Sequence, residues 1–187
     1  QVPPLPVQRR IVDLMAHLDN HLANLQTERD AAVEALEALR EGMCHETTET
    51  IALSQLARVD RGASWSAKQE SEDGEFAVIR IANVQPEGFD LSDVRRIDGL
   101  KAREIERSRI SESSLLMVGS NGNPERIGNV YRSEARISGS VLASFLIGIP
   151  PESPTAADLL WHLLARPSVQ QQITEVTAGS TGLKNLS

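Results

Sequence analysis

The sequence predicts an α/β (α+β) domain of short mixed strands and flanking helices, preceded by a long N-terminal coiled-coil-like helix. Three observations carry that reading. Between about Val7 and Gly42 there is no proline and no glycine, and Ala, Leu, Glu and Arg dominate, all strong helix formers. From residue 51 the pattern changes to short apolar runs bounded by Gly, Asn, Asp or Pro, the mark of strands. Hydrophobic residues make up 40% of the 187 residues but aromatics only 3%, so the core has to be built from Leu, Ile, Val and Ala.

Taken in order, residues 2–6 are proline-rich and cannot be helical throughout. The helix that follows carries Ile11, Leu14, Leu18, Leu22, Leu25, Val33, Leu36 and Leu39. The steps are 3 and 4, apart from one of 8 between Leu25 and Val33, so these residues form one stripe. Positions 11, 22 and 33 share a lane, as do 14, 25 and 36. That spacing is nearer 3.6 than 3.5 and predicts a nearly straight pairing. About 35 residues of helix reach roughly 52 Å, too long to lie wholly on a core made from the rest, so the stripe needs another helix. Gly42 is the expected stop. The domains expected are thus a pairing helix over 1–43, a polar connector over 44–50 and a folded domain over 51–187.

Strands are expected at 51–59, 76–84, 115–119, 128–132 and 141–149. Two helices follow. The first spans 155–166, with Thr155 as N-cap and Asp158 three residues on. Pro167 ends it and opens the second, which runs to about Thr177. Residues 178–187 read as a loop.

Charge excludes some functions. The net charge is −7. Residues 1–43 carry four basic side chains against seven acidic, whereas residues 51–187 carry fifteen against seventeen. A bulk electrostatic grip on nucleic acid is ruled out, and such a function would need a local patch. The single cysteine, Cys44, excludes a disulfide framework and any multi-cysteine zinc site. No run of 18 apolar residues exists, so no membrane helix is expected. The start lacks both a signal peptide and an initiator Met. The expectation is a soluble intracellular piece of something longer.

No catalytic set stands out. His17 and His21 are four apart on the long helix, a spacing that can share a metal, but no Glu adjoins the first; two exposed imidazoles are the plainer reading. Cys44-His45 has no recognisable partner. Walker and Rossmann glycine motifs are absent. The turn Gly119-Ser120-Asn121-Gly122-Asn123-Pro124 leads into no strong helix, so it is no cofactor cradle. Arg103, Arg107 and Arg109 alternate with Glu104 and Glu106, which reads as a solvated face. Trp161 with Leu160, Leu163 and Leu164 reads as core.

What remains is a set of loop side chains with base-reading and phosphate-reading chemistry: Arg61, Ser64, Trp65, Lys68, Arg80, Asn83, Asn121, Asn123, Arg126, Arg132 and Lys184. Arg and Lys pair with guanine edges and Asn with adenine. Phosphates take the same groups and Ser. Polar surface loops are ordinarily just that, and composition alone does not decide between the two.

The opening Pro3-Pro4-Leu5-Pro6-Val7-Gln8-Arg9-Arg10-Ile11-Val12 resembles the start of the conserved helical region in specificity subunits of type I restriction–modification systems. A position often acidic there is Val7 here. The rest resembles a target recognition domain of that family. Its pieces are Leu56-Ala57-Arg58-Val59-Asp60-Arg61-Gly62, Val78-Ile79-Arg80-Ile81-Ala82-Asn83-Val84, Leu115-Leu116-Met117-Val118-Gly119-Ser120-Asn121-Gly122 and Thr181-Gly182-Leu183-Lys184-Asn185-Leu186-Ser187. The resemblance implies a cytoplasmic, prokaryotic, non-enzymatic subunit. It would read one half of a bipartite target on double-stranded DNA. Methyltransferase (modification) and restriction subunits would be its partners, and S-adenosylmethionine would be bound by the methyltransferase, so no cofactor is expected on this chain. The long helix would pair with a second spacer helix or, lacking one, form a homodimer.

Two rivals remain. One is a helical dimerisation or scaffolding module without sequence-dependent DNA binding. The other is the recognition domain of a fused restriction–methylation enzyme. A methyltransferase fragment itself is nearly excluded, because Pro150-Pro151 is flanked by Ile149 and Glu152 rather than by the Asn/Asp and aromatic residue that place a flipped adenine.

Overall fold

The computed structural model describes residues 2–42, 50–177 and 184–186. Cys44, His45 and the connector to residue 49 lie outside the described residues, as do 178–183. The chain divides into two compact units, residues 1–46 and 47–187.

The first unit is one helix, α1 (Leu5–Gly42), of 38 residues. It starts two residues before the expected Val7. Pro6 sits in its first turn, where a missing N–H costs nothing. Gln8 Nε2 donates to the Pro3 carbonyl at 2.7 Å and ties the entry down. None of the residues of α1 is buried. The stripe of Ile11, Leu14, Leu18, Leu22, Leu25, Val33, Leu36 and Leu39 is 40–69% exposed.

The second unit contains β1 (Asp60–Arg61), β2 (Phe76–Ile79), β3 (Val84–Gln85), β4 (Gly88–Phe89), β5 (Arg95–Ile97), α2 (Ala102–Ser108), β6 (Leu115–Val118) and β7 (Ser120–Asn121). It continues with β8 (Val130–Arg132), β9 (Val141–Leu142), β10 (Leu146–Ile149), α3 (Pro154–Leu164), α4 (Pro167–Val176) and β11 (Lys184–Asn185). A four-stranded antiparallel sheet has the order β1-β10-β6-β8. A three-stranded sheet has the order β5-β2-β9, with β2 and β9 parallel. β3–β4 and β7–β11 are small antiparallel pairs.

The period-two alternation of strands explains the layers. On β6 and β10, Leu116, Val118 and Leu146 join Ile79, Val84, Phe89, Ile110, Ile137 and Leu142 in one core between the sheets. The alternate residues Leu115, Met117, Ile147 and Ile149 face the opposite way, onto Leu160 of α3 and Ile173 of α4. Both strands are therefore buried on both faces, which is why they read as unbroken apolar runs. Phe76, Val78, Ile97 and Val141 form a third cluster with Trp65 and Ile105 of α2.

Several expected elements differ. Residues 51–59 form no strand but a 3-10 turn at Leu53–Gln55. Ile51, Leu53 and Val59 stay exposed; an isolated bridge joins Ala57 to Pro151, and continuous pairing begins at Asp60. The run 76–84 breaks after Ile79 because the Arg80 amide donates to Asn83 Oδ1 at 2.9 Å, closing a 3-10 turn. The run 141–149 is two strands of two different sheets, split by a tight turn in which the Leu146 amide donates to the Ala143 carbonyl at 2.9 Å. The N-cap of α3 is Ser153, not Thr155; its side chain accepts from the Ala156 amide, with Pro154 in the first turn. Asp158 caps nothing and pairs with Arg132 instead. β5 and α2 were not expected at all, and within the presumed final loop Lys184–Asn185 is a strand.

Candidate nucleic-acid interface

The strand registers bring most of the candidate residues to one end of the four-stranded sheet. Arg61 on β1 lies opposite Ile147, Leu146 opposite Val118, and Met117 opposite Val130. The end of β1, the start of β10, the end of β6 and the start of β8 therefore coincide. Segments 62–64, 143–145 and 119–129 all leave from this end. β2 arrives at the same place, because the Ala143 amide donates to the Ile79 carbonyl at 2.9 Å. The close approach of segment 62–64 requires glycine at Gly62, where a Cβ would fall 2.2 Å from the Ala143 carbonyl oxygen.

The β7–β11 pair sets Lys184 opposite Asn121. The Leu186 amide donates to the Gly119 carbonyl at 2.8 Å, and the Arg61 guanidinium donates to the Leu186 carbonyl. Arg61 thus clamps the C-terminal strand while staying exposed. Asn121 Oδ1 accepts from the Asn123 amide at 2.9 Å, and Asn123 Oδ1 accepts from the Glu125 amide at 3.0 Å. These bonds use both side-chain oxygens to hold the turn. Arg61, Gly62, Ser64, Glu104 and Arg107 line a cavity of about 210 Å³. Arg107 also approaches Asp60 at 3.6 Å. Its alternation with Glu104 and Glu106 reads as a solvated face; only the packing of α2 against β1 sets it beside Arg61.

Other candidates have structural employment. Asn83 is 2% exposed. Its amide donates to the Asp90 and Asp93 carbonyls at 3.0 and 2.9 Å, so burial removes it from any interface. Arg80 donates to the Asp93 carbonyl and carboxylate at 2.7 and 2.8 Å. In the same hairpin, the backbone amide and then the side chain of Ser92 hold the Asp90 carboxyl below the usual range. Arg126 donates to the Val84 carbonyl at 2.5 Å, tying the 124–126 turn to β3. Trp65 is half-buried against the third core cluster, and its indole N–H donates to Glu70 Oε1 at 2.9 Å. That bond first, and Arg95 second, lowers the Glu70 pKa. Lys68 is exposed on the 3-10 turn Ala67–Gln69. Arg132 pairs opposite Leu115, at the far end of β6. It bonds Asp158 at 2.7 Å and lies 5.2 Å from the Trp161 ring centroid, which sets it apart from the others.

On α1, His17 Nδ1 lies 2.7 Å from the Asp13 carbonyl. Among the described residues no group of three or more His, Cys, Asp or Glu is placed to hold a metal ion, and no helix is long and apolar enough to cross a membrane.

No family model and no curated protein matches the sequence. Solved structures do. The HsdS subunit from Thermoanaerobacter tengcongensis aligns with a TM-score of 0.55 at 14% identity, over 99% of this chain and 47% of that one. A structure described as the basis of complex assembly and conformational transition of the type I R-M system aligns with a TM-score of 0.51 at 15% identity, over 90% and 43%. The type I restriction-modification S subunit from M. genitalium aligns at 0.44 and 12% identity, over 78% and 33%. The long helix and the mixed domain thus share the fold of HsdS subunits. The chain spans less than half the length of each of these structures.

Proposed function

We propose that this chain is a sequence-specific DNA-binding module of a type I restriction–modification specificity subunit. It reads one half of a bipartite target and is itself not an enzyme. The observation that carries the reading is the convergence of Arg61, Ser64, Asn121, Asn123 and Lys184 on one sheet end of an HsdS-like fold. Asn and Arg there suit base edges, while Ser64 and Arg107 suit phosphates. Methyltransferase subunits, which carry S-adenosylmethionine, and restriction subunits complete the assembly in the cytoplasm. The exposed stripe of α1 pairs with a second spacer helix or a second copy of this chain.

The test is selection of bound DNA from a random duplex pool, with the chain reconstituted with its modification subunits near physiological salt, where non-specific binding weakens. Enrichment of a short asymmetric half-site is expected. No enrichment, with the subunits demonstrably bound, would replace this reading by a scaffolding role centred on α1.

A further inference from the structure

Of the six aromatic residues, three Phe, two Trp and one Tyr, five are engaged. Phe76 and Phe89 are buried. Tyr131 packs on Phe89 with centroids 6.3 Å apart. Trp161 lies under Arg132 and Trp65 bonds Glu70. Phe145 alone is exposed, at 47%.

Its backbone is nonetheless held by hydrogen bonds. It occupies the tight turn closed by Leu146 and Ala143, and its carbonyl accepts two amides, from Gly119 at 2.9 Å and Ser120 at 3.1 Å. On the other side the Gly62 amide donates to the Leu146 carbonyl at 3.0 Å, and the Ala63 amide to the Leu142 carbonyl at 2.7 Å. The turn is bracketed from both flanks, and the apolar ring is left to solvent. Its neighbours in the fold are Ser120–Asn121 and, paired with them, Lys184–Asn185. Among the described residues, the other exposed large apolar side chains of this unit, Ile51, Leu53, Val59, Leu159 and Val176, belong to the 51–59 segment, α3 and α4. Phe145 is therefore the one exposed aromatic of the six, on a turn hydrogen-bonded to the segment that carries Asn121. A DNA groove offers an isolated apolar feature among polar edges, the thymine methyl, which Phe side chains contact.

We infer that Phe145 is a specificity-determining residue that contacts a thymine methyl at the edge of the half-site read by the Asn121–Asn123 turn. This rests on the DNA-reading function proposed above. Partial exposure of a ring on a braced turn suits contact across a base edge rather than deep insertion between base pairs.

The experiment uses the full chain assembled with its modification subunits and the half-site obtained by selection. Each thymine is replaced in turn by uracil, which removes only the methyl group. At one position the swap is expected to weaken wild-type binding roughly fourfold, the worth of one buried methyl. Phe145→Ala is expected to weaken binding by about tenfold and to be indifferent to that same swap, a non-additive cycle. Phe145→Leu is expected to keep part of the sensitivity. An unchanged unfolding midpoint for both variants checks that the fold is intact. The inference is overturned if the half-site lacks thymine. It is also overturned if Phe145→Ala binds as wild type, or if it loses affinity equally on thymine and uracil at every position. In those cases the wild type still selects a half-site, and the DNA-reading function stands. Failure of the wild type to select any half-site sinks both.

Discussion

The two units of this chain solve opposite problems with similar apolar content. α1 has eight stripe residues between 40 and 69% exposed and buries none of its 38 residues. The second unit closes over its own core, with Leu116, Val118, Val78 and Leu146 at 0% exposure. The difference teaches that amphipathic pattern and burial are separate facts. A helix of this length gains most of its stability from packing a face, not from propensity, so the exposed stripe of α1 is the surface on which the pairing proposed above would act. The domain holds its cores within itself.

The largest effect that would break this comparison concerns two leucines. Leu146→Ala is expected to destabilise the domain by about 2–5 kcal/mol, through lost burial and a cavity between the sheets. Leu18→Ala, at 48% exposure, is expected to leave the urea unfolding of the domain within about 0.5 kcal/mol. It should instead weaken association through α1, by about 2 kcal/mol per substituted helix. Urea unfolding and sedimentation equilibrium on both variants separate the two roles. Equal losses in the domain's unfolding would erase the distinction.

A smaller effect sharpens the contrast inside the domain, between two asparagines of the same loop chemistry. Asn83→Ala leaves the Arg80 amide and the Asp90 and Asp93 carbonyls without the partner that now bonds them. It is expected to cost about 1–3 kcal/mol of stability. Asn123→Ala removes an exposed cap from a three-residue turn and is expected to cost about 0.5–1 kcal/mol of stability, the low end for a lost cap, while costing DNA affinity about 1–3 kcal/mol. Denaturation and DNA titration of both variants would show the exchange of effects. Matching losses of stability would place Asn123 with Asn83 as structural.

That pair also marks what the sequence could show. α1 was legible because its period, its lack of breakers and its composition are local. β6 and β10 were legible as apolar runs because both faces are buried. α2 was not, since one inward Ile105 among charges carries no period. β1 was not, because Asp60 and Arg61 pair only where β10 reaches them. In the site, the chemistry of Arg61, Asn121 and Lys184 was legible, but not their meeting, which depends on sheet register. Asn83 reads as surface because polarity is taken for exposure, yet a buried turn needed its hydrogen bonds. Phe145 errs the other way: inside the apolar run 141–149 its letter reads as core, and only the break between two sheets turns it outward.

The smallest effect is a pH signature separating Trp65 as brace from Trp65 as interface. Its indole N–H is the first cause of the lowered Glu70 pKa, ahead of Arg95. A carboxyl whose folded pKa lies below its unfolded one contributes stability above the unfolded value, and loses it as pH falls through the folded value. Trp65→Phe keeps an aromatic ring but deletes the donor, so the Glu70 pKa should move back up. The stability gap between wild type and variant should then be widest near neutral pH and narrow on acidification through the glutamate range. Urea midpoints measured from pH 7 down to pH 3 read this directly. A gap constant with pH would mean that Trp65 acts through packing alone. The tie of residues 65–70 to β5 would then rest on the Glu70–Arg95 pair, at 2.9 Å, with no contribution from the indole N–H.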